Sequence, residues 1–213
     1  MQIINAPKAI ESESFGIIEK YFGGKNIPSA TRDIVRRVIH ATADFNYLPG
    51  LVFHPKAVKA GIRAINAGKP IIVDVNMVKA GVNKNISAEF GVKVICSVDD
   101  KGVIRHSSRL GATRTALAMR RSAKLMDGAI VAVGNAPTAL FEICDLVESD
   151  LAKPALIIGV PVGFVGAVES KKKLRTLTVP YITNRSRRGG SAVAVAITNA
   201  LLILAKEALR SRA

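Results

Sequence analysis

The nonapeptide Ala129-Ile130-Val131-Ala132-Val133-Gly134-Asn135-Ala136-Pro137 sets the architecture of this chain. Its first five residues are apolar without interruption, and such a run is typical of a strand that is buried on both faces. Pro137 suits the first turn of a helix, which the apolar spacing extends to about Glu148. A buried strand that passes through a glycine-bearing turn into a helix predicts a parallel sheet with helices against it.

The same alternation occurs on either side of this segment. Apolar, β-branched runs predict further strands at residues 70–75, 92–98, 155–160 and 179–183. Helical spacing predicts helices at residues 55–67, 113–126 and 167–174, and a long closing helix from Ser191. No linker, repeat or low-complexity segment interrupts the 213 residues. We therefore predict one α/β domain over residues 1–213, with a mainly parallel β-sheet covered by helices on both faces and a helical segment, residues 1–50, packed on it.

The chain is strongly basic, with 31 Lys and Arg against 16 Asp and Glu and a formal net charge of +15. Such an excess indicates an anionic partner, namely nucleic acid, a membrane surface or a small polyanion. Aromatic residues are only 5% of the chain, so the stacking platforms used by single-strand binders are scarce, and no zinc-finger or RNA-recognition motif occurs. The composition favours a small polyanion, or solubility alone; binding to nucleic acid, the weaker alternative, predicts a steep salt dependence.

The apolar segments favour a cytoplasmic protein without membrane contact. Residues 1–9 lack the apolar core of a signal peptide. The apolar run 191–205 is short for a membrane span and contains Thr198 and Asn199, so we expect a buried core helix. Cys96 and Cys144 lie in apolar runs without metal-ligand spacing, which predicts buried free thiols in a reducing compartment.

His40 is the residue that most suggests chemistry. In a helix of about 100° per residue it falls opposite the apolar stripe, among charged side chains. The stripe is formed by Ile34, Val35, Val38 and Ile39, and the charged neighbours are Asp33, Arg36, Arg37 and Asp44. Two interpretations stay open: a solvated surface histidine, or an imidazole whose proton is used near neutral pH.

Common catalytic motifs are missing from the sequence. No Gly-x-Gly-x-x-Gly fingerprint, Walker A string, Gly-x-Ser-x-Gly elbow or metal-spaced histidine pair occurs. Of the other two histidines, His54 precedes a proline at a helix entry and His106 lies in a predicted polar loop. Few side chains therefore titrate near pH 7, which favours simple proton chemistry. Because no histidine pair has metal-ligand spacing, we predict no metal site.

A basic loop is predicted before the last helix. Residues 184–191 combine a glycine-bearing backbone with Arg185, Arg187 and Arg188. Guanidinium groups, backbone N–H groups and the helix dipole all favour a carboxylate or phosphate at such a place. A solvated basic loop is the alternative interpretation.

Other candidates follow the predicted strands, at whose carboxyl ends ligands bind in open α/β sheets. Asn135 stands directly after the strand of the nonapeptide. Arg114 lies at the start of a predicted helix, where its guanidinium is placed to bind an acidic group. The triplet Lys171-Lys172-Lys173 is expected to be a solvated helix face.

Six strings of the sequence carry a resemblance to a known family. They are Arg37-Val38-Ile39-His40-Ala41, Asp74-Val75-Asn76-Met77-Val78, Thr113-Arg114-Thr115-Ala116, Gly134-Asn135-Ala136-Pro137-Thr138-Ala139-Leu140-Phe141, Gly159-Val160-Pro161-Val162-Gly163-Phe164-Val165-Gly166-Ala167-Val168-Glu169-Ser170-Lys171 and Arg187-Arg188-Gly189-Gly190-Ser191-Ala192. In this order they resemble the precorrin-8X methylmutases, also called cobalt-precorrin-8 methylmutases, of corrin biosynthesis. The resemblance runs from about Ser14 to Leu201.

The resemblance implies an isomerase of cobalamin biosynthesis that moves a methyl group from C-11 to C-12 of a corrinoid with peripheral carboxylates, giving cobyrinate. It also implies a homodimer and no organic cofactor; cobalt, where present, is carried by the substrate. His40 aligns with the family's catalytic histidine and is expected to be the general acid. Ser14 and Arg114 match residues of the substrate site, and Arg36, one helical turn before His40, is expected to hold a carboxylate.

The substrate site is expected to include Asn135, Arg185, Arg187 and Arg188 as well, since all four follow predicted strands. A non-catalytic tetrapyrrole-binding module is the alternative function. In that module His40 would only donate a hydrogen bond or contact cobalt.

Overall fold

Uninterrupted apolar runs form the inner strands of the protein, whose computed structural model describes residues 6–211. The strands are β1 (Leu51–Phe53), β2 (Ile71–Val73), β3 (Val94–Ile95), β4 (Ile130–Val133), β5 (Leu156–Gly159) and β6 (Tyr181–Asn184). Their order across the sheet is β1-β6-β5-β4-β2-β3, and β1 alone runs antiparallel to its neighbour among the described strands. The predicted α/β fold with a mainly parallel sheet is confirmed.

Helices connect the strands and cover the sheet. They are α1 (Pro7–Phe22), α2 (Ser29–Thr42), α3 (Tyr47–Gly50), α4 (Ala57–Asn66), α5 (Asn76–Gly81), α6 (Lys84–Glu89), α7 (Lys101–Leu110), α8 (Arg114–Arg121), α9 (Pro137–Glu148), α10 (Ala167–Leu174) and α11 (Ser191–Arg210), with a 3-10 turn at Ala123–Met126. The predicted bounds of α9 and α10 are confirmed. The antiparallel strand β1 and the helices α5, α6 and α7 were not predicted, and α7 places His106 in a helix rather than a loop.

The N-terminal segment is helical over its described part, as expected, while residues 1–5 lie outside the described residues. Side chains of each strand point alternately to two separate cores, as the period of two requires. From β4, Ile130 and Ala132 enter the core shared with α2, α4 and α11, whereas Val131 and Val133 enter the core beneath α8, α9 and α10. Both faces are therefore covered, as predicted, and polar side chains reach solvent from strand ends and loops.

Helix α11 is the one helix within residues 6–211 that could cross a membrane by length and composition alone. Its buried side chains, among them Val193, Ile197 and Leu201, belong to the core shared with α2 and α4. The buried Thr198 hydroxyl donates a hydrogen bond to the carbonyl of Ala194 (2.8 Å), so it carries no unmet polar group into the core. The run is a core helix, as its sequence predicts.

Helix α2 buries its apolar stripe and leaves His40 exposed in its last turn. The helix ends at Ala43, whose N–H donates to the carbonyl of Ile39 (2.7 Å). The φ of Ala43 is 52°, in the left-handed region. That conformation favours glycine, because a Cβ crowds the backbone there.

We expect Ala43→Gly to raise the free energy of unfolding by about 0.5–1 kcal/mol, because glycine adopts the left-handed conformation without strain. The matched control is Ala41→Gly, at an exposed position in the last turn of the same helix, which should lower it by about 0.5–1 kcal/mol. Urea titration measures both differences. A loss of stability in both variants would contradict this account of the helix end.

Candidate functional site

The carboxyl ends of the parallel strands meet at one edge of the sheet, where ligands bind in folds of this kind. The edge carries Asp74 after β2, the turn 134–136 after β4, residues 161–163 after β5 and residues 184–188 after β6. Neighbouring strands are about 4.8 Å apart, so the edge from β6 to β3 spans about 19 Å. An edge of this width suits a broad, flat ligand.

Asp74 fixes the turn that follows β4. Its side chain is fully buried, and its carboxylate accepts hydrogen bonds from the N–H groups of Gly134 (3.1 Å), Asn135 (2.8 Å) and Ala136 (2.8 Å). Burial raises the pKa of Asp74 above its ordinary value, and the three N–H donors oppose that shift. The turn lies against the start of α11, since a Cβ on Gly134 would lie 2.8 Å from the Cα of Ser191. Asn135 is thereby held exposed at the edge.

Lys171 holds the arginine loop, the name we give to residues 184–188. The side chain is fully buried, so the prediction of a solvated lysine face is wrong for this residue, although Lys172 beside it is exposed as expected. The ammonium donates to the side-chain oxygen of Asn184 (2.8 Å) and to the carbonyl oxygens of Ser186 (2.5 Å) and Arg188 (2.8 Å). Burial lowers the pKa of Lys171 to about 8, so the amine is mostly protonated at neutral pH.

An ion pair ties the arginine loop to the end of α2. The Nε of Arg188 lies 2.8 Å from a carboxylate oxygen of Asp44, in the turn after the helix. Hydrogen bonds from Asn46, followed by the charge of Arg188, hold the pKa of Asp44 below its ordinary value. The pair joins the arginine loop to the turn that follows α2, four residues after His40.

His40 lies at the rim of a hollow of about 210 Å³. The hollow is lined by Ser14, Ile17, Ile18, Ile39, His40, Ala43 and Phe45. The imidazole also meets the ring of Phe15 edge-on, with 5.2 Å between the centroids, and the Ser14 hydroxyl donates to the carbonyl of Ile10 (2.8 Å). Ordinary small-molecule sites enclose roughly 300–1,000 Å³, so this hollow is smaller than a complete site of that kind.

Arg36 takes part in ion pairs between α1 and α2. Its terminal nitrogens lie 3.1 Å from a carboxylate oxygen of Glu19 and 2.6 Å from one of Asp33. Its guanidinium carbon lies 4.6 Å from the centroid of the Phe15 ring, which the His40 ring also contacts. The role of Arg36 as a substrate ligand stays a prediction, and in this structure the guanidinium already has two carboxylate partners.

Arg114 and Asn135 occupy the part of the edge formed by β4, β2 and β3. Nη1 of Arg114 lies 3.1 Å from a carboxylate oxygen of Asp99, whose other oxygen accepts from the amide of Asn76 (2.6 Å). Both side chains of the ion pair are more than half exposed, so the pair contributes about 0–1 kcal/mol to stability. The guanidinium is therefore free to change partners at small cost.

The predicted site residues lie in several places. Ser14 and His40 line one hollow, and the arginine loop, which carries Arg185, Arg187 and Arg188, is joined to the turn after α2 by the ion pair between Arg188 and Asp44. Arg114 and Asn135 lie at the strand ends beyond β3 and β4. Arg36 contacts the same Phe15 ring as His40. Arg185 and Arg187 are exposed on the arginine loop.

Three residues that organise this edge were not among the predicted site residues: Asp44, Asp74 and Lys171. Asp74 has a sequence signal, because an acidic residue directly after three consecutive apolar strand residues must find buried partners. Lys171 has none, since three consecutive lysines do not indicate which one a helix turns inward. Asp44 pairs with an arginine more than a hundred residues later, which only the fold brings near.

Larger hollows lie elsewhere. One of about 900 Å³ is formed by α4, the start of α2 and the end of α11, and it includes Pro28, Ile62, Arg63 and Ala208. Helix α2 has 14 residues and is about 21 Å long, which separates this hollow from His40. None of the predicted site residues lines it.

Metal and thiol chemistry have little support among the described residues. Within residues 6–211, no three or more His, Cys, Asp or Glu side chains are grouped as metal ligands would be. Cys96 and Cys144 are free, and only Cys144 is fully buried. Burial raises the pKa of Cys144 to about 12, which keeps it a thiol.

Comparisons with known proteins agree with each other. A family model described as precorrin-8X methylmutase matches residues 9–204. The cobalt-precorrin-8 methylmutase of Priestia megaterium is 46% identical over 199 residues, covering 93% of this chain and 88% of the relative. The precorrin-8X methylmutase of Pseudomonas aeruginosa is 40% identical over 196 residues, covering 91% and 94%. A solved structure of precorrin-8X methylmutase from Thermus thermophilus superposes with a TM-score of 0.88 at 39% identity, covering 94% of this chain and 97% of that chain.

We expect Asp74→Asn to lower the free energy of unfolding by about 2 kcal/mol, because an amide group turns one donor towards N–H groups that need an acceptor. The matched control is Asp99→Asn, an exposed carboxylate on the same edge, for which we expect a change below about 1 kcal/mol. Guanidinium titration gives both values. Equal effects of the two substitutions would show that the buried carboxylate does not hold the turn.

Proposed function

The chain belongs to the precorrin-8X methylmutase family, and on that premise we propose that it moves a methyl group from C-11 to C-12 of a precorrin-8 macrocycle, with His40 as the general acid. Members of the family are isomerases of cobalamin biosynthesis, and this chain is one of them. The product of the proposed reaction is cobyrinate or its metal-free counterpart.

The placement of His40 supports this proposal more than any other observation. The imidazole is exposed at the rim of a hollow, and it shares that hollow with Ser14. The ion pair between Arg188 and Asp44 holds this end of α2 beside the arginine loop. A proton donor therefore stands next to groups that attract carboxylates, which is the combination that a carboxylate-bearing macrocycle needs.

In the proposed mechanism, His40 donates a proton to the ring system of the substrate. Protonation withdraws electron density from the ring and weakens the bond to the migrating methyl group, which then shifts to the neighbouring carbon within the same molecule. The imidazole takes a proton back from the product, so the overall reaction is an isomerisation. A positioned acid of this kind contributes roughly 10²–10⁴-fold to the rate.

The cations of the edge serve binding in this proposal. Arg185, Arg187 and Arg188 on one side, and Arg114 on the other, contact carboxylates around the macrocycle. These guanidinium groups form forked, charge-assisted hydrogen bonds to such groups. The net charge of +15 raises the encounter rate with an anionic substrate at low salt.

Cobalt belongs to the substrate in this proposal, and no organic cofactor takes part. Relatives named for the cobalt-loaded and for the metal-free substrate both match the chain, so the macrocycle that co-purifies with the protein is the direct measurement of which one it uses. A homodimer and a cytoplasmic location, which the resemblance implies, stay predictions.

We expect His40→Ala to lower kcat about 10²–10⁴-fold with little change in the affinity for cobyrinic acid, because the variant lacks only the proton donor. The change in the visible spectrum that accompanies methyl migration measures the rate. The matched control is His106→Ala, a histidine whose Nδ1 contacts the carbonyl of Gly102 within α7, and it should keep the parent rate.

Two outcomes of this experiment would count against the proposal. Full activity in a folded His40→Ala variant would remove the acid from the mechanism. If the parent protein binds precorrin-8 and the visible spectrum of the bound macrocycle does not change, the result would instead favour a non-catalytic tetrapyrrole-binding module.

We expect Arg114→Ala to weaken binding of cobyrinic acid about 10-fold, the loss of one charge-assisted contact, while the midpoint of thermal unfolding stays nearly unchanged. Arg105→Ala, which removes an exposed arginine from α7, controls for the loss of one charge. Isothermal calorimetry measures the affinities. If the Arg114→Ala variant binds cobyrinic acid as tightly as the parent, Arg114 has no role in substrate binding, and its surface ion pair with Asp99 is its only assigned contact.

A further inference from the structure

Lys171 is a buried cation whose hydrogen-bond partners within residues 6–211 are all uncharged groups. Its side chain is 0% exposed, and none of its three hydrogen-bond partners is a carboxylate. Lysine is almost never fully buried without a charged partner, because removing an ammonium from water is costly. The site offsets that cost with three oxygen acceptors, one for each N–H of the ammonium. All three acceptors belong to the arginine loop.

The last three carbonyl groups of the arginine loop are turned towards the protein. Those of Ser186 and Arg188 accept from Lys171, and the one of Arg187 between them accepts from the N–H of Gly163 (3.2 Å). The Asn184 amide donates a second hydrogen bond to the carbonyl of Arg188 (2.8 Å). Three consecutive carbonyls are therefore withdrawn from the surface, where their partial negative charges would repel a carboxylate.

The two glycines that follow the arginine loop, Gly189 and Gly190, pack closely against the chain after β5. The N–H of Gly190 donates to the carbonyl of Val160 (2.9 Å), and Gly189 has a φ of 153°. A Cβ on Gly189 would lie 2.1 Å from the same carbonyl oxygen. Glycine contacts thus fix the loop where it enters α11, and Lys171 fixes the part that carries the arginines.

We propose that Lys171 is the positioning residue of the substrate site: its ammonium gathers the inner acceptors of the arginine loop, so that Arg185 and Arg187 face the carboxylates of the macrocycle and Arg188 reaches Asp44. This inference rests on the proposed function for the identity of the ligand. Through the pair between Arg188 and Asp44, the same ammonium also sets the distance between the loop and the helix end that carries His40.

The test compares Lys171→Met, which is one atom shorter than lysine, keeps its unbranched shape and removes its donors, with Lys172→Met, which removes an exposed charge from the next position. In Lys171→Met we expect KM for precorrin-8 and the dissociation constant for cobyrinic acid to rise about 10-fold or more, the loss of one or two charge-assisted hydrogen bonds. We expect kcat to fall less than KM rises. The Lys172 variant should match the parent in all three.

Trypsin provides a readout that does not depend on the substrate. It cleaves after lysine and arginine, so release of the loop should speed cleavage after Arg185, Arg187 and Arg188 in Lys171→Met alone, with sites other than the substituted lysine unchanged. Parent-like cleavage and parent-like KM in the folded variant would overturn the proposal. Faster cleavage in a protein whose parent neither binds nor converts precorrin-8 would support the role of Lys171 and reject the proposed function.

The variant Lys171→Gln covers the case in which Lys171→Met does not fold. Its shorter amide retains two donors and reaches fewer of the acceptors, so we expect KM and the cleavage rate to lie between those of the parent and a released loop. Parent-like values for a folded Lys171→Gln would overturn the proposal. If neither variant folds, the Lys171 ammonium is required for the stability of the core. That outcome would also overturn the proposal.

Discussion

The strands β2, β4 and β5 are buried along their whole length, because helices cover both faces of the sheet. No side chain in the middle of these strands can reach a ligand. In the proposed site, the strand-end loops and the end of α2 therefore supply the side chains that meet the ligand. The loops must be held by contacts outside the strands, and their arrangement follows from that constraint.

Two buried charges of opposite sign hold those loops. Asp74 accepts three backbone N–H groups from the turn after β4, and Lys171 donates to three oxygens of the arginine loop after β6. The donor and acceptor roles are exchanged between the two arrangements: the Asp74 carboxylate accepts three hydrogen bonds, and the Lys171 ammonium donates three. Within the described part of the chain, both charges are hydrogen-bonded only to uncharged groups. The loops therefore stabilise the buried charges, and the charges in turn order the loops.

Strands and helices that carry a long apolar pattern could be predicted from the sequence. Features that depend on a single contact between distant residues could not. Strand β4 and helix α9 were predicted because an unbroken apolar run and a proline mark them. The helices α5 and α6 have six residues each, too few to show a repeating apolar face. In the site, His40 was predicted because it stands off the stripe of α2, and its exposure confirms that placement. The inward turn of Lys171 and the pairing of Asp44 with Arg188 depend on the packing of distant segments, which leaves no local pattern.

In the proposed site, the residues that hold the backbone of the arginine loop are different from the side chains that meet the substrate. Its shape depends on a lysine of α10, on the glycines 163, 189 and 190 and on the Asn184 side chain, none of which projects from the loop as Arg185 and Arg187 do. Exchanging those two side chains therefore leaves the backbone bonds intact. If the proposed function holds, the preference of this loop for one pattern of negative groups can change in evolution or by design without loss of the fold that presents it.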